Sequence, residues 1–255
     1  MMSETAGIRY RHQDGGDHKV VFIHGWMVSG RVFDGFLEPE SEPSVARLIP
    51  DLRGAGDSHA HQGAISIADL ASDVVAVLDD AEIERAALVG HSMGGKVAQW
   101  LAIHHPDRVS SLFLLCPVPA SAMDLPENVA TLFRESGGDR DAQREILNMA
   151  CVALPPARRD GLLDDAGRIS KRVIQDGFDA WAREEFSDEL GRIQAPTTVV
   201  ASDDPFLPRD FLSQALVRAV DGARLVHVPN AGHYVHLEAP EAVRVHYNQW
   251  LSTLP

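Results

Sequence analysis

The residues best placed to do chemistry are Gly90-His91-Ser92-Met93-Gly94. A short apolar run, residues 86–89, ends in this Gly-x-Ser-x-Gly, and a helix-forming segment, residues 96–104, follows at once. Such a strand-turn-helix lifts a serine hydroxyl clear of a sheet, and the flanking glycines let neighbouring backbones approach where a Cβ would collide. A serine presented in this way suits nucleophilic attack on an acyl carbon. That chemistry further needs a base, a carboxylate to orient it, and two N–H donors for the tetrahedral oxyanion.

The donors have natural sources. Met93 directly follows the serine, and Val21-Phe22-Ile23-His24-Gly25-Trp26 is a strand ending in a tight turn. The backbone N–H groups of Met93 and Trp26 are the expected pair. Base and acid should come later in the chain. Asp203-Asp204-Pro205 follows the apolar run 197–201, and Asn230-Ala231-Gly232-His233 follows the run 224–228. Both sites fall at carboxyl ends of strands, the edge where the serine also opens, so the side chains can converge. Among twelve histidines, His233 is preferred for its place after a glycine in a post-strand loop, with His236 as rival. His91, His104, His105, His227 and His246 read as strand, helix or surface residues. Asp204 is preferred to Asp203 because it precedes Pro205, which sets the turn.

These side chains need a scaffold. Apolar runs of strand length occur at residues 20–23, 45–49, 86–89, 112–115, 197–201 and 224–228, bounded by Gly, Pro, Asp or Asn. Continuous runs suit strands buried on both faces, as in a parallel sheet. Between them lie helical patterns. Ile67, Leu70, Ala71, Val74, Val75 and Leu78 share one face after Ser66 as N-cap, and Pro240 opens a last segment with Val243, Tyr247, Trp250 and Leu251 on one side. The alternation predicts an α/β fold with a mostly parallel central sheet flanked by helices. It breaks between residues 120 and 190, where no strand is evident and helices are expected at 127–135, 141–151, 157–165 and 178–186. The expected division is a core of residues 1–119 and 191–255 with a small helical cap, residues 120–190, inserted late in the chain.

Composition narrows the field. Of 255 residues, 45% are hydrophobic, enough for a sizeable core, yet no stretch nears the roughly 18 apolar residues of a membrane span. Residues 1–10 lack the basic-then-apolar pattern of a secretory leader. Cys116 and Cys151 are too few for a disulfide framework, which favours a cytoplasmic setting. The net charge of −14 disfavours nucleic acid and anionic membranes as partners. No cofactor is expected. No Gly-x-Gly-x-x-Gly occurs, and His59/His61 and His104-His105 lack the convergent carboxylates or cysteines of a metal site.

Taken together the motifs resemble those of the α/β-hydrolase superfamily over nearly the whole chain. The resemblance rests on His24-Gly25-Trp26, on Asp51-Leu52-Arg53-Gly54-Ala55-Gly56-Asp57-Ser58, on Gly90-His91-Ser92-Met93-Gly94-Gly95 and on Asp204-Pro205-Phe206-Leu207-Pro208. Asn230-Ala231-Gly232-His233 with Leu237-Glu238 and Pro240-Glu241 completes the set. One departure is Ala201, where members often carry glycine three residues before the acid. Within the superfamily the chain is similar to small esterases, lactonases and cofactor-free haloperoxidases. Epoxide hydrolases and haloalkane dehalogenases use aspartate where Ser92 stands. Carbon–carbon bond hydrolases of ring-fission products, cofactor-free dioxygenases, and receptor-type members that bind a small signal and recruit a protein share the fold as alternatives.

The resemblance implies a serine hydrolase of a small, largely uncharged ester or lactone, using Ser92, Asp204 and His233, as a monomer or homodimer. The expected pocket draws on Trp26, Met27, Met123, Leu125, Phe133, Met149 and Trp181, with the Trp26 side chain crowding the alcohol side.

Overall fold

Strand β5 (Ala86–His91) lies at the middle of the molecule because every one of its residues is apolar, glycine or a buried histidine, so both faces can be covered. The computed structural model describes residues 1–37, 45–61 and 63–254. Besides β5 its strands are β1 (Met2–Thr5), β2 (Ile8–Gln13), β3 (His18–Ile23), β4 (Val45–Pro50), β6 (Val109–Leu115), β7 (Thr197–Ser202) and β8 (Arg224–Val228). They form one eight-stranded sheet in the order β1-β2-β4-β3-β5-β6-β7-β8. From β4 to β8 all neighbours are parallel, while β1 and β2 join antiparallel at the edge. The six expected strands all form, each within a few residues of its predicted bounds.

β1 and β2 are absent from that expectation for a physical reason. Next to the sheet's edge only one face is covered, so β2 alternates buried Ile8 and Tyr10 with charged Arg9 and Arg11, leaving no continuous apolar run to read. Tyr10 then fastens this edge to the core's helical layer by donating to Asp80 at 2.7 Å.

The main helices follow the periodic segments. They are α1 (Ile67–Asp80), α2 (Met93–His104), α3 (Glu127–Glu135), α4 (Arg140–Ala150), α5 (Pro156–Arg168), α6 (Lys171–Arg183) and α7 (Pro240–Leu251). Ser66 caps α1, its hydroxyl accepting from the Asp69 N–H at 3.0 Å. α7 packs on the sheet through Tyr247 and Trp250, whose rings meet Phe22 and Phe113, and the Trp250 indole donates to Ser111 at 2.8 Å. Helices α3 to α6 all lie between β6 and β7, within residues 120–190.

α6 departs from its expected bounds of 178–186. It starts at Lys171, with the Ser170 hydroxyl accepting from the Val173 N–H at 3.3 Å, and runs through Gly177. Glycine normally weakens a helix interior. Here its missing side chain makes room, since a Cβ on Gly177 would come within 3.0 Å of Cδ1 of Trp26. That contact joins residues far apart in sequence, so nothing local marks the helix as running through the glycine.

Candidate active site

Ser92 sits between β5 and α2 with φ +54° and ψ −121°, a left-handed conformation that costs a non-glycine residue on the order of 1–3 kcal/mol. The surroundings hold it there. A Cβ on Gly94 would lie 2.1 Å from the Ile23 carbonyl oxygen, and one on Gly90 2.6 Å from the Gly94 oxygen. Only glycine at these places lets α2 start hard against the ends of β3 and β5. The Ser92 N–H donates to Leu115 O at 3.1 Å, and Ser92 O accepts from Val118 N at 3.0 Å, so the turn is also tied to the end of β6.

The His24-Gly25-Trp26 turn runs beside it, where a Cβ on Gly25 would lie 2.9 Å from Ser92 Cβ. His24 serves this turn rather than substrate. Its Nδ1 donates to Gly25 O at 2.8 Å and its Nε2 accepts from the Leu52 N–H at 2.9 Å, while burial lowers its pKa and keeps the ring neutral. Asp51, at the start of the next loop, accepts from the N–H groups of Gly30 (2.7 Å) and Asp57 (2.8 Å), which shapes the rim of the site. The N–H of Met93, at the first position of α2, has no intrahelical acceptor.

The post-strand loops of β7 and β8 meet beside the serine. His233 Nδ1 donates to Asp204 Oδ2 at 2.6 Å, and the Asp204 carboxylate, fully buried, also accepts from the Phe206 N–H at 2.9 Å. Asp203 is turned elsewhere, accepting from His227 Nε2 at 3.0 Å and from the Asn230 N–H at 2.7 Å. With Nδ1 committed to Asp204, Nε2 is the ring nitrogen of His233 left to exchange a proton. The rival His236 is buried among Phe33 and Phe36, and burial pulls its pKa down to about 3. His91 is likewise buried and lowered, its Nε2 meeting His233 O at 3.1 Å.

Ser92 and His233 line one cavity of about 60 Å³. Trp26, Met27, Met123, Leu125, Phe133 and Trp181 line it too, so most residues expected at the pocket come together there. Met149 does not. α4 turns Ile146, Leu147 and Ala150 to the cavity, and at about 100° per residue Met149 lies roughly 100° round from the centre of that face. Met93 lines a second, smaller cavity on the other side of the Trp26 indole, next to Gly25 and Ile174. The indole itself leans into the helical insertion, stacked on Phe133 at 5.8 Å and donating to Ile174 O at 2.8 Å, and Trp26 borders both cavities.

Residues outside the sequence reading also contribute. Phe206, Leu207 and Tyr234 line the cavity. They flank Asp204 and His233 in the chain, and that adjacency was the only available signal. Lys96, on α2 one turn after the serine, is fully buried and donates through Nζ to the carbonyls of Ser121 (3.1 Å), Trp181 (3.0 Å) and Glu184 (2.5 Å). Burial pulls its pKa down to about 8, opposed by the carboxylates of Glu184 and Glu185. The Trp181 carbonyl belongs to the last turn of α6, which has no intrahelical donor, so one ammonium ties α2 to both ends of the insertion. Among the described residues no cluster of three or more His, Cys, Asp or Glu is placed to hold a metal, and no helix is long and apolar enough to cross a membrane.

A family model described as the alpha/beta hydrolase family matches residues 20–244. A pimeloyl-[acyl-carrier protein] methyl ester esterase of Neisseria meningitidis is 30% identical over 246 residues, covering 91% of this chain and 93% of the relative. A 3-oxoadipate enol-lactonase of Acinetobacter baylyi is 29% identical over 212 residues, covering 75% and 73%. Among solved structures, an esterase from Exiguobacterium antarcticum superposes with a TM-score of 0.88 at 20% identity, covering 96% of each chain.

Proposed function

The chain belongs to the alpha/beta hydrolase family, and from that premise we propose that it is a serine hydrolase of small, uncharged carboxylic esters or lactones. Ser92 Oγ attacks the acyl carbon while His233 Nε2 takes its proton, and the resulting imidazolium is stabilised by Asp204. The oxyanion is met by the N–H groups of Trp26 and Met93. His233 then protonates the leaving alcohol, and water, activated by the same nitrogen, cleaves the acyl-enzyme. The observation that carries this reading is the strained Ser92 sharing a cavity with a histidine whose other nitrogen is held by a buried carboxylate.

The substrate class follows from the cavity wall. Ser92, His233 and Tyr234 supply its polar groups, and no lysine or arginine is among the lining residues. A carboxylate near the scissile bond would be desolvated with no counter-ion, a cost of several kcal/mol. The relatives' names specify a methyl ester and an enol-lactone, the two bond types proposed here. One ester is carried on a protein and a 3-oxoadipate lactone keeps a carboxylate, so the small neutral substrate rests on the cavity wall alone. The insertion, residues 120–190, acts as a cap, since its Met123, Phe133, Leu147 and Trp181 close the cavity over the serine. Two unpaired thiols, Cys116 and Cys151, fit a reducing cytoplasm.

The test is a series of p-nitrophenyl esters of graded acyl length, run beside neutral and carboxylate-bearing lactones and a ring-fission dienone. The highest kcat/KM is expected on short neutral acyl groups, with an organophosphonate labelling Ser92 alone. A preference for the dienone, or binding without turnover of any ester, would overturn the proposal.

Trp26 separates backbone from side-chain roles. Trp26→Pro deletes the N–H and should lower kcat by about 10²–10³-fold, the usual loss for one oxyanion donor. Trp26→Ala keeps the N–H and removes an indole that borders both cavities, so it should alter substrate preference while keeping at least roughly a few per cent of activity on an acetate ester. Both variants need circular dichroism to establish folding, because truncating a packed indole costs about 3–5 kcal/mol. Equal losses would show that Trp26 acts through its indole.

A further inference from the structure

We propose that Glu238 is a positioning residue that holds the His233 loop against the end of α4, so that the base is placed by this carboxylate as well as by Asp204. The inference rests on the assignment of His233 as the base.

Glu238 ends the single helical turn Val235–Glu238, which begins just after the His233 loop. The Leu237 and Glu238 N–H groups both donate to Tyr234 O, at 2.7 and 2.9 Å, and the chain folds back on itself. The side chain returns to the loop it has just left. Oε2 accepts from the Gly232 N–H at 2.9 Å and Oε1 from the Tyr234 N–H at 3.2 Å, so the N–H groups of the two residues that flank His233 are bound by one carboxylate. Oε2 also accepts from the N–H groups of Val152 (2.8 Å) and Ala153 (2.6 Å), in the turn that leaves α4. These four donors come from two segments about 80 residues apart.

Two further contacts join the same segments. The His233 N–H donates to Ala150 O at 2.9 Å. The α4 turn also lies directly on Gly232, where a Cβ would be 2.5 Å from Ala150 O and 2.7 Å from Val152 N. Ala150, with Leu147 one turn earlier on α4, lines the cavity that holds Ser92. His233 is therefore held twice: its ring by Asp204 from the β7 side, and its backbone by Glu238 and Ala150 from the α4 side. Hydrogen bonds to an ionised acceptor are about twice as strong as neutral ones, so the carboxylate is the main fastening of this joint. Freeing it lets the imidazole drift relative to Ser92 while the cavity that binds substrate persists.

The experiment compares Glu238→Ala, Glu238→Gln and His233→Ala in the full chain, each assayed with p-nitrophenyl acetate well below its own Tm. Glu238→Ala should lower kcat by about 10²-fold, the scale of a small misplacement of a catalytic group, with KM changed by less than about threefold. The rate of Ser92 labelling by an organophosphonate should fall in parallel. Glu238→Gln keeps one acceptor oxygen for the three N–H groups that Oε2 now receives but loses the acceptor for Tyr234, so it should recover only in part, to a kcat about tenfold below the parent. Parent-like kcat in Glu238→Ala, a loss confined to KM, or no recovery in Glu238→Gln would falsify the proposal. If Glu238→Ala fails to fold, a tenfold loss in kcat at unchanged KM for Glu238→Gln supports it, and parent-like kcat there overturns it. An active His233→Ala overturns instead the assignment of the base on which it rests.

Discussion

Replacing Ser92 with alanine should lower kcat for ester hydrolysis by about 10⁶-fold, because nucleophile, base and acid act as a unit and the residual rate comes only from binding and the oxyanion donors. The change removes a single oxygen. The bonds that hold the turn, from the Ser92 N–H to Leu115 O and from the Val118 N–H to Ser92 O, are made by the backbone and survive. Alanine can take the same φ of +54° at no greater strain than serine, so circular dichroism and Tm should match the parent. Loss of activity is then chemical and not a loss of fold. Turnover within about tenfold of the parent would end the serine mechanism, since no covalent acyl-enzyme could be on the pathway.

Asp204→Asn carries the second largest effect, about 10⁴-fold in kcat. The buried carboxylate receives the Nδ1 proton of His233 at 2.6 Å, which leaves Nε2 as the lone pair that takes the serine proton. A carboxamide in the same place can present its NH₂ to Nδ1, which drives the ring proton onto Nε2 and removes the base. Its oxygen can still accept from the Phe206 N–H, so the loop keeps its local bond. Asp203→Asn should cost about tenfold or less, because that carboxylate binds His227 and the Asn230 N–H and reaches the imidazole only through the local field. Measuring kcat for both variants settles the acid: a larger loss at Asp203 would reassign it.

The parts of this site that could be read from the chain are those in which a few consecutive residues carry the physical requirement. Gly90, Ser92 and Gly94 announce the turn because the close approach that demands glycine falls two residues either side of the serine. His24-Gly25 and the Asp203-Asp204-Pro205 and Gly232-His233 pairs announce themselves because each follows an apolar run long enough to cross the sheet once. The helix phase of α4 was less legible. Met149, Ile146 and Leu147 are all apolar, and nothing local says which of them turns to the cavity and which lies round the side.

The sequence by itself determined the parallel α/β core, the serine turn, and the placing of Asp204 and His233 at the ends of later strands. Burial on both faces writes a continuous apolar run, and a sharp turn writes glycine, so both are local properties of the chain. Pro205 already favoured Asp204 over Asp203, and the folded chain shows how the neighbours part: Asp204 turns to His233 while Asp203 turns to His227 and the Asn230 N–H. Only the tertiary structure decided that Gly177 belongs inside a helix, since the reason is an indole from residue 26. The roles of Lys96 and Glu238 were hidden for the same cause. Their partners are main-chain carbonyls and amides, which every residue carries, so no side-chain pattern marks where a buried charge will find them until the chain has folded.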